Sequence, residues 1–303
     1  MQTNLEKCPS HGPSSRLGHA RNSDDKQERL LRDRMAKVKH KIAIVSGKGG
    51  VGKSVTTVNL AIALALHGHR NKVGILDADI HGPSVPKMLG IRGRSLKAGP
   101  AGMLPVSGPF GVKVVSMDFL LPNDDTPVIW RGPLKMSAIR KFLSDVIWGQ
   151  LDFLLIDLPP GTGDEPLSVM QFLPEMDGVI IVTIPSEVSQ IVVKKAVTFT
   201  RELKIPIIGI VENMSSFICP KCGSESSIFR TGGGMKIAED LNVPFIGSIP
   251  LDPRICEASD IGKPFIVEYS DSPAAKAFIE IVDKVEAFLK GKIDGPNLSS
   301  SIK

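Results

Sequence analysis

A glycine-rich segment near residue 50 constrains this chain more than any other feature. Gly47–Ser54 reads G-K-G-G-V-G-K-S, follows the apolar run Ile42–Val45 and leads into the amphipathic segment Ser54–His67. The pattern G-x-x-x-x-G-K-[ST] in this context of strand, loop and helix is typical of a phosphate-binding loop. Glycines let backbone N–H groups wrap the phosphates, and the helix N-terminus adds a positive dipole. The segment therefore predicts a P-loop nucleotide site.

Individual residues of this loop have predicted roles on the nucleotide. Lys53 is placed to reach the β- and γ-phosphates, and the Ser54 hydroxyl is placed to bind Mg²⁺. Val55 offers no hydroxyl to the α-phosphate, although its backbone N–H remains. The loop residues predicted to bind nucleotide are Gly47, Lys48, Gly49, Gly50, Val51, Gly52, Lys53, Ser54 and Val55.

Short apolar runs rich in Val and Ile alternate with longer amphipathic segments along the chain. The runs predicted as strands are Ile42–Val45, Val73–Leu76, Val112–Met117, Phe153–Ile156, Val179–Ile184, Ile207–Val211 and Phe245–Ile249. The segments predicted as helices are Ser54–His67, Leu134–Ile147, Val188–Leu203, Met235–Leu241 and Ala274–Leu289. This alternation predicts an α/β fold with a doubly wound, mostly parallel sheet and helices on both faces.

Both ends of the chain and one internal segment depart from the alternation. Residues 1–39 are predicted to be an N-terminal arm, flexible or helical, because a charge-dense stretch carries apolar residues at loosely helical spacing. Residues 40–290 are the predicted P-loop ATPase domain, and residues 291–303 are a predicted disordered tail. Residues 214–234, rich in Ser, Gly and Cys, are a predicted functional insertion loop.

The second lysine of the P-loop gives a first resemblance to a known family. The run K-G-G-V-G-K-S, which begins at Lys48, resembles the deviant Walker A ATPases, the group that includes MinD, ParA and the nitrogenase iron protein. The resemblance implies a homodimer in which Lys48 of one subunit contacts the phosphates bound by the other. Charge supplied in trans would act as an arginine finger does in other NTPases. Lys48 and Lys53 are therefore predicted catalytic residues.

Carboxylates at strand ends complete the predicted magnesium and water sites. The run L-D-A-D ends the second strand, and the resemblance implies that Asp77 supports the Mg²⁺ shell while Asp79 orients the attacking water as a catalytic residue. The run L-L-I-D ends in Asp157, a Walker B pattern that predicts a contact to Mg²⁺ through water. The residues after it are a predicted switch that senses the γ-phosphate: Gly161, Thr162, Gly163 and Asp164.

Three polar or loop residues are candidates for contact with the base. Asn213 closes a strand and carries an amide that can pair with the edge of adenine, and relatives place an Asn here for that purpose. Pro250 and Asp252 follow the next strand and could line the same pocket. Ordinary loop capping remains the competing explanation for each of these residues.

The insertion loop contains a C-x-x-C pair, Cys219 and Cys222. Two thiolates at this spacing can hold one metal centre together, but two ligands do not close a site. A two-fold axis would bring four thiolates together from two copies of the chain. Four thiolates suit a [4Fe–4S] cluster, and they suit Zn²⁺ equally well. A redox dithiol and a loop that binds nothing are the further alternatives.

Three longer motifs narrow the resemblance. V-E-N-M-S-S-F-I-C-P-K-C-G, L-D-A-D-I-H-G-P-S and D-L-P-P-G-T-G-D are together similar to the Mrp-type (ApbC-like) iron–sulfur cluster carrier ATPases, over about Lys41 to Leu289. The resemblance implies a [4Fe–4S] cluster held between subunits by Cys219 and Cys222 and passed to apo iron–sulfur acceptor proteins. It also implies that ATP binding and hydrolysis gate closure of the dimer.

Two other functions compete with the carrier interpretation. One is a positioning ATPase of the MinD/ParA type, which needs a membrane-seeking amphipathic tail or a DNA-binding face. The other is a zinc-bridged P-loop ATPase that carries a protein client in a Met-rich groove. The C-terminus ends in Gly, Pro and Ser, and the ten methionines are scattered, so neither alternative has its expected feature.

Composition and the remaining cysteines limit which partners and which cellular location we predict. The net charge of +5 is spread out and only 5% of residues are aromatic, so we predict no nucleic-acid partner. No apolar run reaches membrane-spanning length and no secretory signal begins the chain, which predicts a cytoplasmic protein without a membrane partner. Cys8 alone cannot hold a second cluster, and Cys256 is expected to be a small buried hydrophobic residue.

Overall fold

The computed structural model describes residues 14–120, 132–219, 222–228 and 232–291, with side chains described from residue 25 onward. The strands in these ranges are β1 (Val38–Ser46), β2 (Val73–Asp77), β3 (Lys97–Gly99), β4 (Gly102–Leu104), β5 (Val106–Ser107), β6 (Lys113–Ser116), β7 (Leu151–Asp157), β8 (Gly178–Thr183), β9 (Ile207–Ile218), β10 (Glu225–Ser226) and β11 (Phe245–Leu251). The α-helices are α1 (Ser14–Met35), α2 (Lys53–Leu66), α3 (Val85–Met88), α4 (Gly132–Ser144), α5 (Asp164–Phe172), α6 (Glu187–Glu202), α7 (Gly233–Leu241), α8 (Pro253–Ile261), α9 (Phe265–Glu268) and α10 (Pro273–Leu289).

A mostly parallel sheet forms the centre of the molecule. Its strands follow the order β10-β9-β8-β1-β7-β2-β6-β5, and β11 pairs with β9 between Ile210 and Phe217. Among the described strands of this sheet, only the short strands β10 and β5 run antiparallel to their neighbours, while β3 and β4 form a separate hairpin. The predicted doubly wound α/β fold is therefore confirmed.

Alternate residues of the central strands supply two separate hydrophobic cores. Ile42 and Ile44 of β1 pack into the core beneath α2, α3, α8, α9 and α10, whereas Ala43 and Val45 pack into the core beneath α1, α4, α5, α6 and α7. Successive side chains of a strand point to opposite faces, so a strand covered by helices on both sides must be apolar throughout. This requirement explains the continuous Val and Ile runs of the sequence.

Helix α1 extends the second core beyond the sheet. Its residues Leu31 and Met35 are buried, and α1 packs against α4. Burial of each such side chain contributes about 1.5–3 kcal/mol, so this part of the chain packs as a docked helix. Within the predicted arm at 1–39, the helix therefore ends at Met35 and the first strand begins at Val38. Residues 1–13 and 292–303 lie outside the described residues, and so does most of the predicted tail.

The structure differs from the predicted boundaries chiefly at β9. The apolar run predicted a strand over Ile207–Val211, but the strand continues to Ile218. Pairing with β11 on one edge and with β10 near its end supplies the extra ladder bonds that the apolar pattern did not reveal. The insertion predicted at 214–234 therefore begins as strand up to Ile218, contains β10 and ends in the first residues of α7. Within the described residues, no helix has the length and apolar character needed to cross a bilayer.

Candidate functional site

The P-loop lies where the predicted motif placed it. β1 ends at Ser46, the loop follows, and α2 begins at Lys53. Gly50 and Gly52 have φ angles of 78° and 82°, and Gly52 is the N-cap of α2. Glycine adopts this left-handed conformation without the Cβ clash of other residues. The loop therefore turns its backbone toward a cleft of about 220 Å³, lined in part by Ser46, Gly49, Lys53, Ser54, Asp79 and Pro160.

Gly47 and Gly49 differ in the space around their Cα atoms and give a matched pair for a test. A Cβ on Gly47 would lie 2.7 Å from the carbonyl oxygen of Val192, whereas the nearest atom to a Cβ on Gly49 is Pro160 Cγ at 4.0 Å. Gly47→Ala is expected to lower the free energy of unfolding by about 1–3 kcal/mol, because the loop must shift away from α6. Urea unfolding without nucleotide measures this change, with Gly49→Ala as the control that stays close to wild type. Equal losses in the two variants would contradict the prediction.

Lys53 and Ser54 converge on the Walker B carboxylate. Lys53 Nζ lies 2.8 Å from Asp157 Oδ1, and Ser54 Oγ donates to Asp157 Oδ2 at 2.6 Å. The Thr57 hydroxyl, one turn further along α2, donates to Oδ1 at 2.8 Å and fixes the carboxylate from the other side. Asp157 is fully buried and Lys53 is 6% exposed, so the ion pair occupies a region of weak screening.

A second carboxylate stands beside the first. Asp77 and Asp157 are register partners at the ends of β2 and β7, and Ser116 Oγ donates to Asp77 at 3.0 Å. Burial and the charge of Asp157 raise the pKa of Asp77 to about 8, although Lys53 opposes the rise. Two adjacent buried carboxylates with one lysine lack positive charge, which a divalent cation would supply.

The donors at this edge of the sheet fit magnesium. The Ser54 hydroxyl and the carboxylates of Asp157 and Asp77 are hard oxygen ligands, which Mg²⁺ prefers. Ser46 Oγ is buried beside them without a hydrogen-bond partner among the described residues, so the cleft offers an unused polar atom. These residues would hold the cation, and the cation would supply charge neutralisation for the phosphates.

The predicted water-positioning and switch residues lie around the same cleft. Asp79 lines it and accepts a hydrogen bond from the N–H of Gly82 at 3.3 Å. The N–H of Gly161 donates to the carbonyl oxygen of Ser46 at 2.8 Å, and Gly163 is the N-cap of α5, which begins at Asp164. Lys48 is partly exposed on the loop, and no ion pair involves it in the described parts of the chain.

A buried lysine that the sequence did not point to joins the two loops beside the cleft. Lys135 of α4 is 6% exposed, and its Nζ contacts His81 Nε2 and donates to Glu165 Oε1 at 2.8 Å. His81 follows Asp79 along the chain, and Glu165 lies in the first turn of α5. Burial would raise the pKa of Glu165, but Lys135 and His81 outweigh it and lower the pKa. No motif marks Lys135, because the contact depends on how α4 packs.

Candidate base-contacting residues sit on neighbouring strands with different contacts. Asn213 is 5% exposed and donates from Nδ2 to the carbonyl oxygen of Val51 at 2.9 Å. Its register partner on β11 is Ile249, which Pro250 follows directly. Asp252 is the N-cap of α8, and its carboxylate is bound to Arg254 at 2.6 Å and 2.9 Å. Helix capping therefore accounts for Asp252 in this structure, whereas Asn213 is held against the P-loop.

The cysteine pair lies on the hairpin formed by β9 and β10. Cys219 follows β9 directly, its N–H donates to the carbonyl oxygen of Ser224 at 2.9 Å, and Cys222 Sγ lies 3.0 Å from Ser224 Oγ. Hydrogen bonds from the Ser224 side chain and backbone, and from Cys219, lower the pKa of the exposed Cys222 thiol. A lower pKa raises the fraction of thiolate, which is the metal-binding form.

Cys256, the remaining cysteine among the described residues, contradicts its predicted environment. Cys256 was expected to be buried, but it is exposed on α8 with Sγ 3.8 Å from Asp260 Oδ2. The apolar face of α8 is formed around Ala258, so Cys256 falls on the outer side of the helix. In the described part of the chain, no cluster of three or more His, Cys, Asp or Glu residues could hold a metal ion.

Comparison with known proteins decides the family. Residues 37–286 match the family described as ParA: NUBPL iron-transfer P-loop NTPase. The chain belongs to this family. The predicted resemblance to iron–sulfur carrier ATPases of the MinD/ParA group is thus confirmed, and the protein is a P-loop NTPase.

Individual relatives agree with this assignment. The chain is 58% identical over 252 residues to a protein of Saccharolobus solfataricus named iron–sulfur cluster carrier protein, with 83% of this chain and 84% of that protein covered. A nucleotide-binding protein of Archaeoglobus fulgidus, solved in complex with ADP and with cobalt found by PIXE, is 41% identical with a TM-score of 0.72, covering 83% and 96% of the two chains. The cell division ATPase MinD of Pyrococcus furiosus is 25% identical with a TM-score of 0.60, covering 82% and 99%.

Proposed function

We propose that this NTPase is an ATP-hydrolysing carrier that holds a [4Fe–4S] cluster between two identical subunits and passes it to apo iron–sulfur proteins. The observation that carries the proposal is the pair of thiols, Cys219 and Cys222, at the end of a strand that also contacts the P-loop. Two sulfurs per chain are half of a cluster site, so a second copy must complete it. The names of relatives such as the Saccharolobus protein support iron–sulfur cluster as the cargo.

The nucleotide chemistry is assigned to the residues around the cleft. Lys53 and the backbone amides of the P-loop bind the phosphates, while Ser54, Asp157 and Asp77 would hold Mg²⁺. Mg²⁺ neutralises phosphate charge when bound. Asp79 orients the attacking water, and Asn213 with Pro250 receives the base. In the structure Lys53 is paired with Asp157, so we propose that Lys53 turns to the phosphates as nucleotide enters.

The coupling of ATP to cargo is proposed to run through closure of the dimer. Lys48 of each subunit reaches the phosphates of the other, so hydrolysis requires two closed copies. The switch at Gly161–Asp164 contacts Ser46 beside the P-loop, where loss of the γ-phosphate can release it. Dimer opening then exposes the cluster to an acceptor, because both halves of the thiolate site belong to that interface.

Anaerobic reconstitution with iron and sulfide tests the proposal. We expect one [4Fe–4S] cluster per two chains, a dimer in the presence of Mg·ATP, and restoration of activity to an apo iron–sulfur enzyme mixed with the loaded protein. Light scattering gives the mass, and iron and sulfide assays give the cluster content. Bound zinc without any visible absorbance after reconstitution would mean that the four thiols hold a zinc ion and not a cluster. A protein that stays monomeric with both Mg·ATP and metal would contradict the shared site.

A further inference from the structure

Strand β9 carries two adjacent side chains that leave the sheet on opposite faces. Asn213 Nδ2 donates to the carbonyl oxygen of Val51 in the P-loop at 2.9 Å. Its neighbour Glu212 accepts a hydrogen bond at Oε2 from the N–H of Gly234, at the start of α7. One strand segment thus touches the nucleotide loop on one face and, on the other, the point where the cysteine loop returns to regular structure.

The contact between Glu212 and residue 234 is so close that residue 234 must be glycine. A Cβ on Gly234 would lie 2.9 Å from Glu212 Cβ and 3.0 Å from Oε2. Gly232, the N-cap of α7, has a φ of 74°, a conformation that other residues adopt at a cost. The G-G-G run at 232–234 therefore allows the backbone of the returning loop to reach the carboxylate.

The charge of Glu212 is unexplained by stability alone. The residue is 2% exposed, and within the described residues no lysine, arginine or histidine forms an ion pair with it. Burial raises the pKa of Glu212, although hydrogen bonds from Gly234 and Gly232 oppose the rise. A carboxylate suits the N-terminal end of α7, where N–H groups have no partner within the helix and the dipole is positive. An amide oxygen at this position would hold the same N–H groups more weakly, because hydrogen bonds to a charged acceptor are roughly twice as strong as neutral ones.

Both ends of the cysteine loop therefore meet strand β9, at two separate points. The loop leaves from Ile218, at the end of β9, and returns at Gly232 beside Glu212. Cys219 follows Glu212 by seven residues along the chain, directly after the end of β9. Through β9 alone, a shift of Asn213 would move only the outgoing arm of the loop. The contact at Glu212 makes Gly232 and Gly234, at the start of α7, follow as well.

We propose that Glu212 is a positioning residue that transmits nucleotide binding at the P-loop to Cys219 and Cys222. A nucleotide base that takes the amide of Asn213 removes its bond to Val51 and shifts β9, and Glu212 carries that shift to α7 and the cysteine loop. The inference deepens the proposed function, on which its biological purpose rests, by adding the route from nucleotide to thiols. The coupling itself is a property of the cluster-free protein.

Thiol reactivity in the absence of any cluster tests this route. The full-length chain is prepared with Cys8→Ser and Cys256→Ser, so that only the C-x-x-C pair reacts with Ellman's reagent. We expect a non-hydrolysable Mg·ATP analogue to change the reaction rate by at least about fivefold, the lower range of measured allosteric couplings. In the same background, Glu212→Gln is expected to reduce the nucleotide response to less than about twofold while a fluorescent ATP analogue binds as before.

Matched variants separate coupling from simple loss of structure. Glu239→Gln removes a carboxylate from the exposed side of α7 and is expected to keep the full nucleotide response. Gly234→Ala disturbs the same contact from the other partner, so it should lose the response as Glu212→Gln does. Hydrogen exchange of the unmodified protein gives a readout without substitution, because the amides of Gly232 and Gly234 should change their protection when nucleotide binds.

The outcomes are distinguishable from those of the proposed function. A nucleotide response in Glu212→Gln equal to that of its parent would overturn the inference, and so would unchanged exchange at Gly232 and Gly234. Failure to assemble a cluster, with the thiol response intact, would remove the carrier proposal and leave the coupling in place. Loss of the response in Glu212→Gln and Gly234→Ala, with ATP affinity retained, would support the coupling through Glu212.

Discussion

Cys219→Ser is expected to eliminate the iron–sulfur cluster while leaving ATP binding intact. A shared site has two sulfurs from each chain, so one substitution in the gene removes two of its four ligands. Serine oxygen is a hard ligand that iron in a cluster binds poorly compared with thiolate. Removal of a residue that only hydrogen-bonds to a metal ligand lowers metal affinity by about 10–100-fold. Loss of two direct ligands should therefore exceed that range.

The measurement is cluster content after anaerobic reconstitution, by iron, sulfide and visible absorbance. Cys222→Ser should behave in the same way, because the two thiols are equivalent in the proposed site. Cys256→Ser is the matched control, since this cysteine is exposed like Cys222 but lies on α8 near Asp260, in a different part of the fold. ATP affinity should stay unchanged in all three variants. Full cluster content in Cys219→Ser would mean that other ligands hold the metal.

Lys48→Ala is expected to reduce the rate of ATP hydrolysis by about 10³-fold or more, the range measured when a cation supplied in trans is removed from an NTPase site. Binding of Mg·ATP should change little, because Lys53 and the backbone amides remain. The structure leaves Lys48 partly exposed on the loop, in contrast to Lys53, which is buried against Asp157. Lys53→Ala should therefore lose nucleotide binding as well as hydrolysis.

Mixed dimers decide whether Lys48 acts in trans. Lys48→Ala and Asp79→Asn are each expected to be inactive as pure proteins. If Lys48 serves the other subunit, a mixed dimer has one complete site, and an equal mixture should recover about a quarter of the wild-type rate because half of the dimers are mixed. If Lys48 serves its own subunit, the mixture stays inactive. Lys87→Ala, an exposed lysine on α3 near the same cleft, is the control that retains full activity.

The P-loop, the strand ends and the cysteine pair could be found from sequence because their signals are local. The spacing of the glycines determines the turn of the P-loop, and the start of the following helix provides its positive dipole end. Neither depends on residues elsewhere in the chain. The continuous apolar runs followed from burial of each strand on both faces, so the parallel sheet was also predictable. The strand order and the extension of β9 to Ile218 were not, because they depend on pairing with β10 and β11.

Other residues of the candidate site have no local signal. Thr57 and Ser116 orient the two buried carboxylates from α2 and β6, and Lys135 joins His81 to Glu165 from α4. Each is an ordinary polar residue in its own segment, and it acquires a role only through a partner that is distant in sequence. For Cys256 the sequence signal was misleading. The general preference of cysteine for burial predicted a buried side chain, but it did not reveal which side of α8 the residue occupies.

By itself the sequence determined that this protein has a P-loop, a parallel sheet and a thiol pair, since each depends on the residue types and spacings of one short segment. Only the tertiary structure decided that Asn213 and Glu212 connect these parts, because that connection needs the P-loop and the start of α7 to meet one strand from opposite faces. Hydrogen bonds between segments far apart in the chain form only after packing sets their distance, so no local pattern encodes them.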